Sequence, residues 1–389
     1  MQLEPVPQGG ASPEHSALLD VFHQIAVEPV SAEGVTIRAR DGAEYLDFYG
    51  GHAVALLGHS HPTLVRTLHE QASRLFFQTN AVPLEVRERA AAKLIAFGPV
   101  GLTRVMFVNS GAEANENALR IAFLATKRDR VVCLEGGFHG RTAAAAAVTD
   151  GHDKWYAFPN EPFRTTTVPF DDVGALASAM SEDVAAVIVE PVQGMAGARS
   201  CSSEFLSAAR QLTRDCCSAL IFDEVQCGVG RTGYPFAAQA FGVTPDLLTT
   251  AKGLAGGFPV GAVLVSDQLA GLVHKGDLGT TFGAGPMACA LVEAVVDQLD
   301  PDMLAHVRAM SDRIRSSCCV GPVTEVQGMG LLLGLRTSRP AKEVLAALRT
   351  RHILAGSSGD PHVVRLIPPL VLQESHVDAL ASALSEIES

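Results

Sequence analysis

From Arg104 onward the chain alternates short, continuous apolar runs with longer stretches whose apolar residues return every three or four positions. The runs Arg104–Val108, Arg130–Leu134, Val184–Val189, Ala219–Phe222, Asp246–Thr250 and Gly261–Val265 are short for helices and predict strands. Between them, Ala112–Thr126 and Glu204–Cys217 carry helical spacing. A strand that is apolar at nearly every position must be buried on both faces. Such strands alternating with helices predict an α/β fold with a largely parallel sheet, covered on both sides.

The two ends of the chain read differently. Residues 1–20 form a loose leader with Pro and Gly. Val35–Phe48 predicts a β-hairpin turning at Asp41-Gly42, and a helix follows Pro62 with apolar residues at Leu64, Val65, Leu68 and Ala72. Past Pro286, helical spacing returns in Met287–Leu299 and Met303–Cys318, with short strands near Gly330–Leu335 and Val363–Leu366. These predict a second, smaller α+β unit. The run Ala143–Ala147 predicts buried small-residue packing.

A length of 389 residues suits two structural domains. The net charge of −12 argues against a nucleic-acid or anionic-membrane surface, while leaving room for a local arginine site. The eight cysteines include no C-x-x-C pair and predict buried free thiols in a reducing cytoplasm. The first residues carry no basic and apolar signal-peptide pattern, and no apolar run approaches the roughly 20 residues that span a bilayer.

Two of the runs end in a single functional group. Ala219-Leu-Ile-Phe delivers Asp223, and Leu247-Leu-Thr-Thr-Ala delivers Lys252 before Gly253. Pyridoxal phosphate needs this layout: a carboxylate to pair with the pyridinium nitrogen and a lysine to form the Schiff base. Burial would push the Lys252 amine down and favour imine formation. The alternative for Lys252 is a surface lysine ending an edge strand.

Four further motifs allow two readings each. In Asn109-Ser110-Gly111-Ala112-Glu113-Ala114-Asn115, at a strand-to-helix junction, free helix amides suit a phosphate, and Ser110 with Glu113 forms a capping box. The two readings are compatible. In Gly136-Gly137-Phe138-His139-Gly140-Arg141-Thr142, Phe138 could stack on a flat ring and Arg141 could hold a carboxylate; the same sequence suits a generic loop. His59 and His61 invite a metal, but no third ligand sits nearby, which favours a turn with polar caps. Thr280-Thr281 could hold a phosphate oxygen or simply enter a helix.

With these residues in place, the chain resembles the class III (ω-) aminotransferases, pyridoxal phosphate enzymes of fold type I, and most of all their acetylornithine branch. The likeness runs from about Tyr45 to Ile387. It includes Gly50-Gly51, Gly58-His-Ser-His-Pro62, the Asn109–Asn115 and Phe138–Thr142 motifs, and Glu190-Pro-Val-Gln-Gly194. It continues with Phe222-Asp-Glu-Val-Gln226, Gly230-Arg-Thr-Gly233, Ala251-Lys-Gly253, Thr280-Thr-Phe-Gly283 and Val364-Arg-Leu-Ile-Pro-Pro369. The resemblance implies a large doubly wound, mostly parallel cofactor domain over 50–285. A smaller α+β domain would combine segment 1–49 with residues 286–389.

It also implies roles. Lys252 would carry the cofactor and shuttle the proton, and Asp223 would pair with the pyridine nitrogen. Gln226 would contact the phenolic oxygen and Phe138 would stack on the ring. The Gly111 and Ala112 amides would bind the phosphate, joined by Thr281 from a partner subunit, so the active unit would be a homodimer with shared sites. Arg141 and Thr280 would meet substrate, and Arg365 would hold the α-carboxylate of glutamate or 2-oxoglutarate.

Three positions depart from the family pattern. Met195 stands where relatives carry a glutamate that masks the arginine matching Arg365, so that mask is absent here. Leu278 stands where histidine is common, and Gly285 replaces the usual asparagine. His52, near the expected substrate entrance, is also unusual. The implied reaction moves an amino group between an N-acylornithine-like diamino acid and 2-oxoglutarate/glutamate, in arginine biosynthesis. The partners are small amino acids and 2-oxo acids. Alternatives are another class III transaminase (ornithine, succinyldiaminopimelate, GABA or aminoadipate-semialdehyde type), a same-fold aminomutase or racemase, and a regulator that has lost catalysis.

Overall fold

The computed structural model describes residues 17–388 except residue 22, so most of the expected leader lies outside the described residues. The strands are β1 (Pro29–Glu33), β2 (Thr36–Ala39), β3 (Glu44–Asp47), β4 (Leu102–Val108), β5 (Arg130–Leu134), β6 (Arg164–Val168), β7 (Val184–Val189) and β8 (Val192–Gln193). They continue with β9 (Arg199–Ser200), β10 (Ala219–Asp223), β11 (Leu247–Thr250), β12 (Gly261–Ser266), β13 (Val323–Met329), β14 (Leu332–Thr337), β15 (Ile353–Leu354) and β16 (Val363–Leu366).

A seven-stranded sheet runs in the order β4-β12-β11-β10-β7-β5-β6. Neighbours are parallel except at β12, which is antiparallel to both β11 and β4. Side-chain alternation explains why the helices lie on both faces. Val131 and Cys133 of β5, Ala186 and Ile188 of β7, and Ala219 and Ile221 of β10 share one core with Ala118, Leu119 and Ala122 of the helix Gly111–Thr126. Their neighbours Val132, Leu134, Val187, Val189, Leu220 and Phe222 share the other core with Phe205, Leu206 and Ala209 of the helix Ser203–Asp215. Burying Phe205 or Leu206 contributes about 1.5–3 kcal/mol each.

The N-terminal hairpin is tied to the C-terminal chain: β15 pairs in parallel with β3 in the sheet β1-β2-β3-β15. A third sheet, β13-β14-β16, is antiparallel and carries Arg365 on β16. The helix Pro286–Gln298, expected at the start of the C-terminal unit, packs on the helices Pro62–Arg74 and Glu85–Phe97.

The cysteines are free, and five are buried, but Cys217 and Cys319 are exposed and Cys216 is half-buried, against the expectation of general burial. His59 Nε2 lies 2.7 Å from Asp47, whose carboxylate also accepts from the Tyr49 and Gly50 amides. Among the described residues no cluster of three His, Cys, Asp or Glu side chains is placed to hold a metal, and no helix is long and apolar enough to cross a membrane.

Candidate active site

Chain direction brings the candidate groups together. Asp223 ends β10, Lys252 follows β11, the Phe138 loop follows β5, and Gly111 opens the helix after β4. All lie beyond the carboxyl ends of parallel strands, where open α/β sheets bind ligands. Gly111, Ala112, Phe138, Asp223, Val225 and Lys252 line one cavity of about 330 Å³. Because β11 is an interior strand, the edge-strand alternative for Lys252 does not hold.

Lys252 has a left-handed backbone, φ +48°, a conformation lysine rarely adopts. Its amine makes no hydrogen bond or ion pair among the described residues. Burial pushes that amine below the usual lysine range; Asp223 and Glu190 resist the shift and Arg365 adds to it. A partnerless amine with reduced affinity for its proton suits nucleophilic attack on a carbonyl.

Asp223 is clamped. Its Oδ2 accepts from Asn115 Nδ2 at 2.7 Å and from His139 Nδ1 at 2.8 Å, and its Oδ1 accepts from the Val225 amide at 3.0 Å. Asn115 is fixed in turn by Thr249, whose hydroxyl donates to its Oδ1 at 2.7 Å. Burial alone would lower the His139 pKa, but the hydrogen bond and charge of Asp223, with Glu190 beyond it, raise it above the usual value. The cavity therefore presents a carboxylate fixed in place by three hydrogen bonds.

At the helix Gly111–Thr126, Ser110 Oγ accepts from the Glu113 amide at 3.2 Å. The other half of the expected capping box differs. Glu113 reaches past Ser110 to the Asn109 amide, at 2.6 Å. The Gly111 and Ala112 amides, at the first two helical positions, have no partner within the helix, and both residues line the cavity, an arrangement suited to an anion. A β-carbon on Gly111 would come 2.7 Å from Val225 Cγ1, so only glycine lets this cradle close on Val225.

Arg365 is 1% exposed. Its Nη1 donates to Gln226 Oε1 at 2.9 Å and lies 3.2 Å from Met195 Sδ, while its Nε is buried without a partner. The missing family glutamate thus leaves Arg365 not bare, as the sequence suggests, but bound to a neutral amide and a thioether. Gly194 makes this arrangement possible, because a β-carbon there would sit 1.7 Å from Gln226 Oε1. His52 has φ +67°, and its Nδ1 lies 2.6 Å from the Tyr49 hydroxyl. Burial, followed by the cations of Arg365 and Lys252, pushes His52 down to about 3, so it is neutral.

Of the expected residues, Gln226, Arg365, Arg141, Thr280 and Thr281 do not line this cavity. Arg141 is exposed and its guanidinium stacks over Trp155, 5.8 Å from the ring centre. Thr280 Oγ1 accepts from Asn109 Nδ2 at 3.1 Å, which ties it to the cavity rim. Thr281 is exposed. Sequence reasoning did not assign a role to Asn115, His139, Val225 or Glu190. Glu190 carried a readable signal: it directly follows a strand buried at every position, much as Asp223 ends one.

The residues fit pyridoxal phosphate. Two open helix amides suit its phosphate, Asp223 its ring nitrogen, Phe138 its ring face, and the partnerless amine of Lys252 its aldehyde.

Comparison with known proteins agrees with this geometry. Residues 20–387 match the family profile described as Aminotransferase class-III. The chain is 43% identical to an acetylornithine aminotransferase of Streptomyces coelicolor, covering 92% of this chain and 90% of the relative. It is 38% identical to an acetylornithine/succinyldiaminopimelate aminotransferase of Yersinia pestis, covering 92% and 91%. The crystal structure of acetylornithine aminotransferase from Elizabethkingia anophelis superposes with a TM-score of 0.84 at 30% identity, covering 95% of this chain and 96% of that one.

Proposed function

The chain belongs to the class III aminotransferases, and from that premise we propose that it moves the terminal amine of an N-acylated, ornithine-like diamino acid to 2-oxoglutarate, giving glutamate. The observation that carries this reading is the cavity in which a partnerless Lys252, a clamped Asp223 and two open helix amides converge. The names of the relatives support the substrate class.

Pyridoxal phosphate is the family's cofactor, and when bound it supplies an electron sink for the pair left as a substrate C–H bond breaks. Lys252 would hold it and, once released, its Nζ would take the proton from the amine-bearing carbon and return it. Asp223 would keep the ring nitrogen protonated, Gln226 would meet the phenolic oxygen, and Phe138 would cover one ring face. The Gly111 and Ala112 amides would hold the phosphate. Arg365 would take the α-carboxylate of glutamate, while Arg141 and Thr280 would contact the substrate from the rim. The large unit would supply the cofactor groups, and the unit joining the N-terminal hairpin to the C-terminal chain would supply Arg365.

Met195 bears on substrate choice. Arg365 spends its Nη1 on an amide and a thioether, both weaker partners than a carboxylate. A substrate that brings a carboxylate to Arg365 should therefore gain over a plain diamine. Half-reactions followed by absorbance across a panel should run with glutamate and an N-acylornithine and stay slow with simple diamines. Met195→Glu should shift the ratio toward ω-amine donors by about 1–3 kcal/mol in relative kcat/KM. A ratio that does not move would make Met195 mere packing. Failure of an N-acylornithine to react at all would overturn the substrate assignment.

The second subunit is part of the same proposal. Thr281 is exposed beside Phe282, which is 66% exposed and packs its ring 5.4 Å from Phe77. Phe76, Phe77 and Val82 add further exposed apolar surface. Close by, a groove of about 880 Å³ runs past Met106, Ile121, Leu278 and Thr280. An apolar face of this kind next to the cofactor cavity suits a second copy of the chain. Light scattering should give a mass near twice 40.9 kDa, and a strictly monomeric, fully active enzyme would refute the shared site. The unpaired cysteines support a cytoplasmic setting, which cell fractionation would check.

A further inference from the structure

Glu190 follows β7, an interior strand of the seven-stranded sheet, and is 6% exposed. Its two oxygens serve different loops. Oε1 accepts from the Phe138 amide at 2.8 Å, and Oε2 accepts from the Gly194 amide at 3.2 Å. The first loop carries the aromatic wall of the cavity. The second sits against Gln226, and through Gln226 against Arg365. We propose that Glu190 is a positioning residue for transamination: its carboxylate latches the Phe138 loop to the Gly194 loop, and protonation loosens the latch.

The chemistry follows from the donor count. Both partners are N–H donors, and an ionised carboxylate offers acceptors on both oxygens. A neutral acid is a weaker acceptor and turns a hydrogen toward one of the two amides. The surroundings place this change within reach of ordinary pH. Burial, then the charge of Asp223, pushes the Glu190 carboxyl up to about 7, while His139 and the two amide bonds pull the other way. The other titratable or charged groups facing it are Lys252 after β11, Arg365 on β16, Cys227 beyond β10, and Cys201, whose thiol donates to the Glu190 main-chain oxygen.

This inference rests on reading the Phe138–Asp223–Lys252 cavity as the cofactor site. The test is fluorescence titration of apoprotein with pyridoxal phosphate. Glu190→Gln keeps the size but sets an NH2 group against an N–H donor. At about pH 8.5 it should weaken binding roughly tenfold to a hundredfold, and at about pH 6, where wild-type Glu190 is itself protonated, the penalty should shrink. A penalty equal at both pH values, or none at the higher one, overturns the latch. If Glu190→Gln does not fold, hydrogen exchange in the wild-type apoprotein decides. Protection of the Phe138 and Gly194 amides, corrected for intrinsic rate, should fall together as pH drops through about 7. Unchanged or unlinked protection would refute the proposal. Lys252→Ala checks the cavity separately: unaltered cofactor affinity and spectrum there would reject the site reading, whatever the latch does.

Discussion

Replacing Lys252 with alanine should cut turnover by more than about a thousandfold and leave the apoprotein folded. Among the described residues Lys252 has no hydrogen-bonding or ionic partner to lose, so the substitution breaks no network there. Its left-handed backbone is no worse for alanine than for lysine. The variant should lose the visible absorbance of lysine-bound cofactor. Stability should move in a definite direction with pH. The folded-state pKa of Lys252 lies below its unfolded value, so the unfolded chain holds more protons between the two. Lysine therefore disfavours folding at neutral pH, and that penalty fades as pH rises toward the unfolded value. Lys252→Ala should raise the thermal midpoint of the apoprotein more near neutrality than in strong alkali. A variant with near-normal turnover would sink the assignment of Lys252.

Asp223→Asn should slow the reaction by roughly 4 kcal/mol in transition-state stabilisation, about a thousandfold. An amide carries no charge with which to hold a proton on the ring nitrogen. The neighbourhood makes the exchange worse than isosteric. Asp223 Oδ2 receives two donors and Oδ1 a third, so whichever way the asparagine turns, its NH2 group meets an N–H. His139 would also lose the partner that raises its pKa, and its titration should fall. Steady-state rates together with the histidine titration measured by NMR check both parts. A loss under about tenfold would mean that another group protonates the ring.

Reading the strands from sequence worked best where burial was two-sided. Arg130–Leu134 and Val184–Val189 have the predicted bounds because their apolar residues from Val131 to Leu134 and from Val184 to Val189 are buried, alternating between the two cores at most positions. The edge strand β6, Arg-Thr-Thr-Thr-Val, is polar at all but its last position and gives no such signal. The helix Glu85–Phe97 spreads its apolar residues around the axis and shows no sharp stripe. The reversal of β12 was invisible for a different reason. Period-2 patterning states which faces are buried and says nothing about chain direction.

Asp223 and Lys252 were legible because each ends an apolar run with a single group that has no business in a core. Local sequence determined that much: the strands buried on both faces, the two chemical groups at or just past the ends of two of them, and the cap that opens two amides. Which groups meet was decided only by the folded chain. Asp223 is joined to His139 across 84 positions, Gln226 to Arg365 across 139, and Met195 to Arg365 across 170. Arg141, close to Phe138 in sequence, lies over Trp155, while Glu190 closes on Phe138 from 52 positions away. Local patterning reflects burial and backbone preference. Hydrogen-bond partners across loops depend on sheet order and strand direction, which arise when distant segments pack together.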